Sequence, residues 1–199
     1  TLTRGVKVTS GMDPRLNTAG PTLIVLAEHK EPVYDKSGLS LITSSVRRPS
    51  PDVLDPKIHH CNLIQSILAK IEATHAGADD AVMLDSRGFV AETNATHLFI
   101  VEGGTVTTSR LVACPEGITR EVVLGLCRDN DIPHDVRDIS LTEVYRAGEM
   151  FCTGTMGELA PVTQVDGRTI GGGETGPVTQ RLAKLFDACV AAEAELVLD

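Results

Sequence analysis

Apolar and polar positions alternate with a period of about two near the start of the chain and of about 3.6 further on, and the change of period divides it. TLTRGVKVTS at 1–10 alternates like a strand and TLIVLAE at 22–28 reads as a second, so the turn-rich GMDPRLNTAGP between them predicts a hairpin whose wide loop carries Arg15. Thr1 already stands in a strand-like run, so the chain is expected to begin inside a fold. LSLITSSV at 39–46 is the third predicted strand. After it, RRPSPDVLDP holds three prolines in ten residues, which predicts neither helix nor strand and marks 47–56 as an interdomain linker.

Beyond the prolines the period changes. NLIQSILAKIEATHAG repeats apolar residues at 63, 64, 67, 68 and 71, predicting an amphipathic helix closed by Gly77. AVMLDSRGFVAETNATHLFIVEGGTVTT then reads as strands joined by an Asp-Ser-Arg-Gly turn and a Gly-Gly hairpin. TREVVLGLCRDN is a helix opened by GIT, HDVRDIS holds a short strand, and SLTEVYRAG carries the capping-box spacing of Ser140 and Glu143. A buried strand EMFCTGT, a hairpin at Asp166-Gly167 and a helix from Pro177 to about Leu198 complete the pattern. Helices and strands interleave while hairpins outnumber crossovers, which predicts an α/β class with a mixed, largely antiparallel sheet.

Composition narrows the function. Eighteen Lys+Arg against 27 Asp+Glu give a formal charge of −9, which works against binding nucleic acid phosphates. Aromatics are 3% with no Trp, so base-stacking platforms have little to be built from. No apolar run approaches the roughly 18 residues of a membrane span, and a cytoplasmic setting is expected. The five cysteines are widely spaced without a CxxC pair, and the six histidines form no ligand pattern, so no metal is expected; His59-His60 is a local pair.

Several loop-borne groups could carry chemistry. Lys57 follows the proline-rich stretch; alone it reads as a solvated lysine, since an ordinary amine is protonated and a poor nucleophile. Glu92, in FVAETN, is either a solvent-facing edge residue or a buried partner for a cation. GIT at 117–119 places backbone N–H groups at a helix start, an anion site by geometry and dipole, or else a plain turn. TGTMGE at 153–158 is a second small-residue turn after a strand. Neither has nucleotide-loop spacing.

Taken together, KIHHCNLIQSILAKIEA, GADDAVMLDSRGFVAETNATHLFIV, EGITREVV, EMFCTGTMGELAPVTQVDGRTIG and GPVTQRL resemble, in order and spacing, the fold-type IV pyridoxal-phosphate enzymes. That group includes the branched-chain and D-amino acid aminotransferases and aminodeoxychorismate lyase. The resemblance implies a large cofactor-binding domain over 57–199, joined by a linker at 47–56 to the remnant of a small N-terminal domain at 1–46. It implies pyridoxal 5'-phosphate as cofactor, held covalently by Lys57, with Glu92 on the pyridine nitrogen and Gly117, Ile118, Thr119, Gly154 and Thr155 around the phosphate. Met156 and Arg15 would receive the substrate carboxylate. The implied reaction is amino transfer from a small neutral, branched-chain-like amino acid to a 2-oxo acid by a homodimer, impaired if a front domain is missing. Pyruvate elimination of the lyase type and a cofactor-free, non-catalytic chain are the alternatives.

One departure bears on the chemistry. Relatives place the reacting lysine three or four residues before an Asn; Lys57 is five before Asn62, and His59 occupies the three-before position. Either the loop carries an extra residue or the lysine has been lost. Leu63 stands where a Tyr often follows that Asn, and Pro115 where a Leu often stacks on the ring.

Overall fold

The computed structural model describes residues 1–28 and 33–194. The chain forms two compact units, Thr1–Glu31 and Pro32–Asp199. In the first, the predicted hairpin survives as two short strands: β1 (Leu2–Thr3) pairs antiparallel with β2 (Thr22–Leu23). A single 3-10 turn at Pro14–Leu16 lies between them, and the alternation predicted at 1–10 and 22–28 extends no further as strand.

The second unit is built on a nine-stranded sheet. Its strands are β3 (Leu39–Arg47), β4 (Asp80–Leu84), β5 (Val90–Thr93), β6 (His97–Glu102), β7 (Thr105–Thr108), β8 (His134–Val136), β9 (Glu149–Gly154), β10 (Glu158–Val165) and β11 (Arg168–Thr169). They run in the order β5-β4-β3-β10-β9-β6-β7-β8, with β11 on β10. The β3–β10, β3–β4 and β7–β8 pairings are parallel and the other five antiparallel, as the mixed pattern predicts. The strand at 39–47, expected in the smaller unit, lies between β10 and β4 in this sheet and so belongs to the second unit.

The proline-rich stretch also differs from expectation, because Pro51–Leu54 forms a single helical turn, α1. Pro51 stands at its first position, where the missing N–H has no acceptor in any case. The other helices are α2 (Ile64–His75), α3 (Ile118–Asp129), α4 (Leu141–Arg146) and α5 (Pro177–Glu193). The predicted continuation of α5 beyond residue 194 lies outside the described residues. The predicted capping box is present on α4: the Glu143 amide donates to Ser140 Oγ, and the Ser140 amide donates to Glu143 Oε2. Gly103 and Gly104, at φ 55° and 80°, make the tight turn between β6 and β7 that only residues tolerant of positive φ form readily.

The centre of the sheet is buried on both faces. Leu98, Ile100, Met150 and Cys152 of β6 and β9 point into one core with Leu39, Val82, Ile139 and Val144. Phe99 and Phe151 alternate to the other, stacked at 4.9 Å and covered by Val123, Leu124 and Cys127 of α3 and Leu182 and Phe186 of α5. This two-sided burial makes the middle strands a rigid platform for the residues at their ends.

Candidate active site

The site begins where β5 turns into β6. Thr93 and Thr96 close the connection through the Thr93 amide, which donates to the Thr96 carbonyl at 2.8 Å, and the paired hydroxyls, 2.7 Å apart. This short link fixes Glu92 on one side of the turn and Thr96 and His97 on the other. Asn94 is tied back to β4: its Oδ1 accepts from the Ala81 amide at 2.9 Å, and its own amide donates to the Ala81 carbonyl at 3.0 Å.

Glu92 is 3% exposed and is the buried partner of a cation, which settles the alternative the sequence left open. The cation is Arg48, whose Nη2 lies 2.8 Å from Glu92 Oε1 and donates to the carbonyls of Thr93 at 3.0 Å and Asn94 at 3.2 Å. The pair is close in charge but poorly aligned, since Glu92 Oε1 and Arg48 Nε have no hydrogen bond directed at them. Burial raises the Glu92 carboxyl to a pKa of about 7, with the Arg48 charge pulling the other way. Sequence reasoning missed Arg48; its only signal was a second arginine at the mouth of the proline-rich stretch.

A cavity of about 400 Å³ opens against this pair. Its strand-side wall is Arg48, Glu92, Asn94 and Ala95, with Pro115; its outer wall runs from Leu54 through Ile58, His59, His60 and Leu63 to Gln65, Ser66, Ile67 and Lys70 of α2. Lys57 is exposed and is not among the lining residues, although its charge is felt at Cys114, as are those of Glu92, Arg48 and Arg120. Of Lys57 and Glu92, only Glu92 is in the wall. Lys70 Nζ is engaged by the Asp79 carbonyl and by Asp80 Oδ1 at 3.0 Å.

The two glycine-bearing turns flank His97. Gly117 is the N-cap of α3, and a Cβ there would come within 2.3 Å of the His97 ring, so only glycine allows this approach. Gly117 offers no capping side chain, and the first amides of α3, those of Ile118 and Thr119, have no acceptor within the helix. Ile118 is exposed at 80% while Thr119 is buried. On the other flank, Thr153 of β9 pairs with His97, and Gly154 and Thr155 follow, with the Gly157 amide donating to the Gly154 carbonyl at 3.2 Å. Met156 is exposed, and its carbonyl accepts from the Val33 amide at 3.0 Å. His97 Nδ1, Thr153 Oγ1 and Arg120 Nε are buried without a hydrogen-bond partner, so polar groups collect between the two turns. Burial and the Arg120 charge hold His97 down to a pKa of about 4, leaving it neutral. None of the five turn residues lines the cavity, which reaches their neighbours Ala95 and Pro115.

Arg15 lies in the first unit, where its guanidinium is bound to Asp13: Nε donates to both carboxylate oxygens at 3.0 and 2.9 Å. Cys114, Cys127 and Cys152 are buried thiols while Cys61 is exposed, and burial pushes Cys114 and Cys152 up to about 12. Among the described residues no cluster of His, Cys, Asp or Glu could hold a metal ion, and no helix is long and apolar enough to cross a membrane.

The site thus combines a mixed sheet, a buried carboxylate near the end of one strand and a glycine-led helix start. The chain belongs to the class IV aminotransferases: the family model described as amino-transferase class IV matches residues 4–165. This bears out the resemblance read from the motifs, and the mixed α/β fold with it. Among individual proteins, the chain is 54% identical over 186 residues to branched-chain-amino-acid aminotransferase-like protein 2 of Arabidopsis thaliana, covering 93% of this chain and 33% of that protein. It is 39% identical to a putative branched-chain-amino-acid aminotransferase of Methanocaldococcus jannaschii, covering 93% and 64%. The solved branched-chain amino acid aminotransferase of Thermobaculum terrenum, in its PLP-bound holo form, superposes with a TM-score of 0.76 at 31% identity, covering 80% of this chain and 53% of that one. The chain therefore spans from a third to under two thirds of the length of these relatives.

Proposed function

We propose that this chain is the cofactor-binding part of a pyridoxal-phosphate-dependent aminotransferase that moves an amino group between a small neutral, branched-chain-like amino acid and a 2-oxo acid. The observation that carries the reading is Glu92: a carboxyl buried in a cavity wall, raised to about 7, with an oxygen that no hydrogen bond satisfies. Ion-paired to Arg48 but with no hydrogen bond directed at it, that oxygen is an incompletely satisfied acceptor, and a ring nitrogen bearing a proton would complete it. Pyridoxal 5'-phosphate, when bound, supplies an electron sink that loosens a bond at the amino acid's Cα.

Of the three requirements of that group, the acid is in the cavity wall, and the residues read as the anion cradle lie outside the cavity lining. Glu92 can hold or share a proton at a ring nitrogen, and Arg48 beside it favours the ionised carboxylate that makes the shared proton secure. The amides of Ile118 and Thr119, with the Thr155 hydroxyl, can donate to a phosphate at the positive end of α3. The apolar outer wall of Ile58, Leu63 and Ile67 suits an aliphatic side chain. Met156 and Arg15 are assigned to the substrate carboxylate on the resemblance alone. The third requirement, a free amine in the cavity, is not met by Lys57 as it stands, and Lys70 is committed to Asp80.

A homodimer in the cytoplasm belongs to the same reading. The test is a titration of the chain with pyridoxal phosphate, followed by transfer of the amino group from leucine or valine to 2-oxoglutarate. Saturable binding that weakens about tenfold or more in Glu92→Ala is expected. Cofactor binding that Glu92→Ala leaves unaltered, or pyruvate released from an aminated chorismate without any amino acceptor, would count against it.

A further inference from the structure

Covalent capture of an aldehyde needs a primary amine whose nitrogen can lose two hydrogens to form a carbon–nitrogen double bond. Of the residues that line the cavity, Lys70 alone carries such an amine, and Asp80 and the Asp79 carbonyl hold it. Lys57 is kept outside by the backbone. Its amide donates to Asp55 Oδ1 at 3.0 Å and the Ile58 amide donates to the Asp55 carbonyl at 3.0 Å, so the chain turns at Lys57 and sends Ile58, His59 and His60 into the wall. His60 is already used: its Nδ1 accepts from the Asn62 amide at 3.1 Å. His59 is the group left. Its ring has no hydrogen-bond partner among the described residues, and it lines the same cavity as Glu92.

We propose that His59 takes the place of the attaching amine, so that this chain holds a phosphopyridine cofactor reversibly, through Glu92, with an imidazole in the same cavity and no covalent bond to the protein. The inference rests on the cofactor reading above and deepens it. An imidazole ring nitrogen carries at most one hydrogen, so it cannot form the double bond, yet it can still accept or donate a proton near the cofactor. The chain then binds cofactor as a ligand that dilution removes, and any amino transfer lacks the protein amine that would release product and renew the cycle.

The experiment is a spectroscopic titration of the full chain with pyridoxal phosphate, then borohydride reduction, intact mass and peptide mapping. Saturable binding reversed by gel filtration, with no phosphopyridoxyl adduct on Lys57 or Lys70, is expected. Lys57→Ala should move the dissociation constant by no more than about twofold. His59→Lys should gain a reduction-resistant adduct at position 59, with circular dichroism reporting whether that variant folds; the Lys57→Ala comparison stands without it. An adduct that maps to Lys57 and disappears in Lys57→Ala overturns the inference while leaving the cofactor reading intact. No saturable binding removes the cofactor reading itself, and the inference with it.

Discussion

Helices α2 and α3 have twelve residues each, carry an apolar stripe, and do opposite things with it. In α3 the stripe is inside: Val123, Leu124 and Cys127 are buried against Phe99, Leu182 and Phe186. In α2 the stripe is outside. Leu63, Ile64, Ile67, Leu68 and Ile71 are 45% to 52% exposed, while the buried residues are Ala69 and Ala73, packed on Ala81 and Met83. Small side chains let α2 lie close to the sheet, and polar contacts pin it there: Glu72 accepts from Ser44 Oγ at 2.6 Å and the Ser45 amide at 2.9 Å, and Lys70 pairs with Asp80. An amphipathic helix ordinarily buries its larger apolar face. The exception teaches that α3 closes a core whereas α2 forms a wall, and the cavity with Glu92 lies along the helix whose large side chains are not spent on packing.

The comparison can be broken or sharpened by substitution. Phe99→Ala removes one ring of the stack that α3 covers and is expected to cost about 3–5 kcal/mol in denaturant unfolding. A loss below about 1 kcal/mol would mean that the α3 side is not the packed one.

The next effect is read in pH. Glu92 is raised to about 7 in the folded chain from an ordinary 4.5, so the folded state binds the extra proton between those values. Stability present below pH 4.5 is therefore lost as pH rises through 7, by on the order of a few kcal/mol. Glu92→Gln should flatten that limb. His97, held at about 4 against an ordinary 6.5, works in the opposite direction: its contribution is present above 6.5 and lost as pH falls through 4. Thermal melts from pH 4 to 8 on the variant and the parent check both signs, and a variant profile that still falls towards pH 7 would show that another group is responsible.

Ala73→Leu forces bulk between α2 and the sheet and should destabilise by about 1–3 kcal/mol. Ile67→Ser, on the exposed stripe of the same helix, should stay within about 0.5 kcal/mol in the isolated chain. The pair of values tests directly which face of α2 is inward, because a reversed order would contradict the packing described.

Much of the site was legible in the chain because it depends on near neighbours. The helix start at GIT, the Ser140–Glu143 cap, the Gly103-Gly104 turn and the strand carrying Glu92 all follow from residues within four positions of one another. Even the inward face of α2 left a trace in the small residues at 66, 69 and 73, outweighed by the more conspicuous apolar stripe. Arg48 was not legible as the partner of Glu92, being 44 positions away in a stretch read as linker. Nor was the outward placement of Lys57, which depends on a turn around Asp55 rather than on its distance from Asn62.

The amino-acid order by itself determined most of the elements from residue 64 onward, their caps and turns, and the residue types available for an acid, an anion cradle and an imidazole pair, since these follow from local backbone preference and side-chain chemistry. Tertiary structure decided which strand lies between β10 and β4, which face of α2 is buried, and which side chains line the cavity. Those choices are made by partners far apart in the chain, where burial and charge pairing outweigh anything a short window of sequence records.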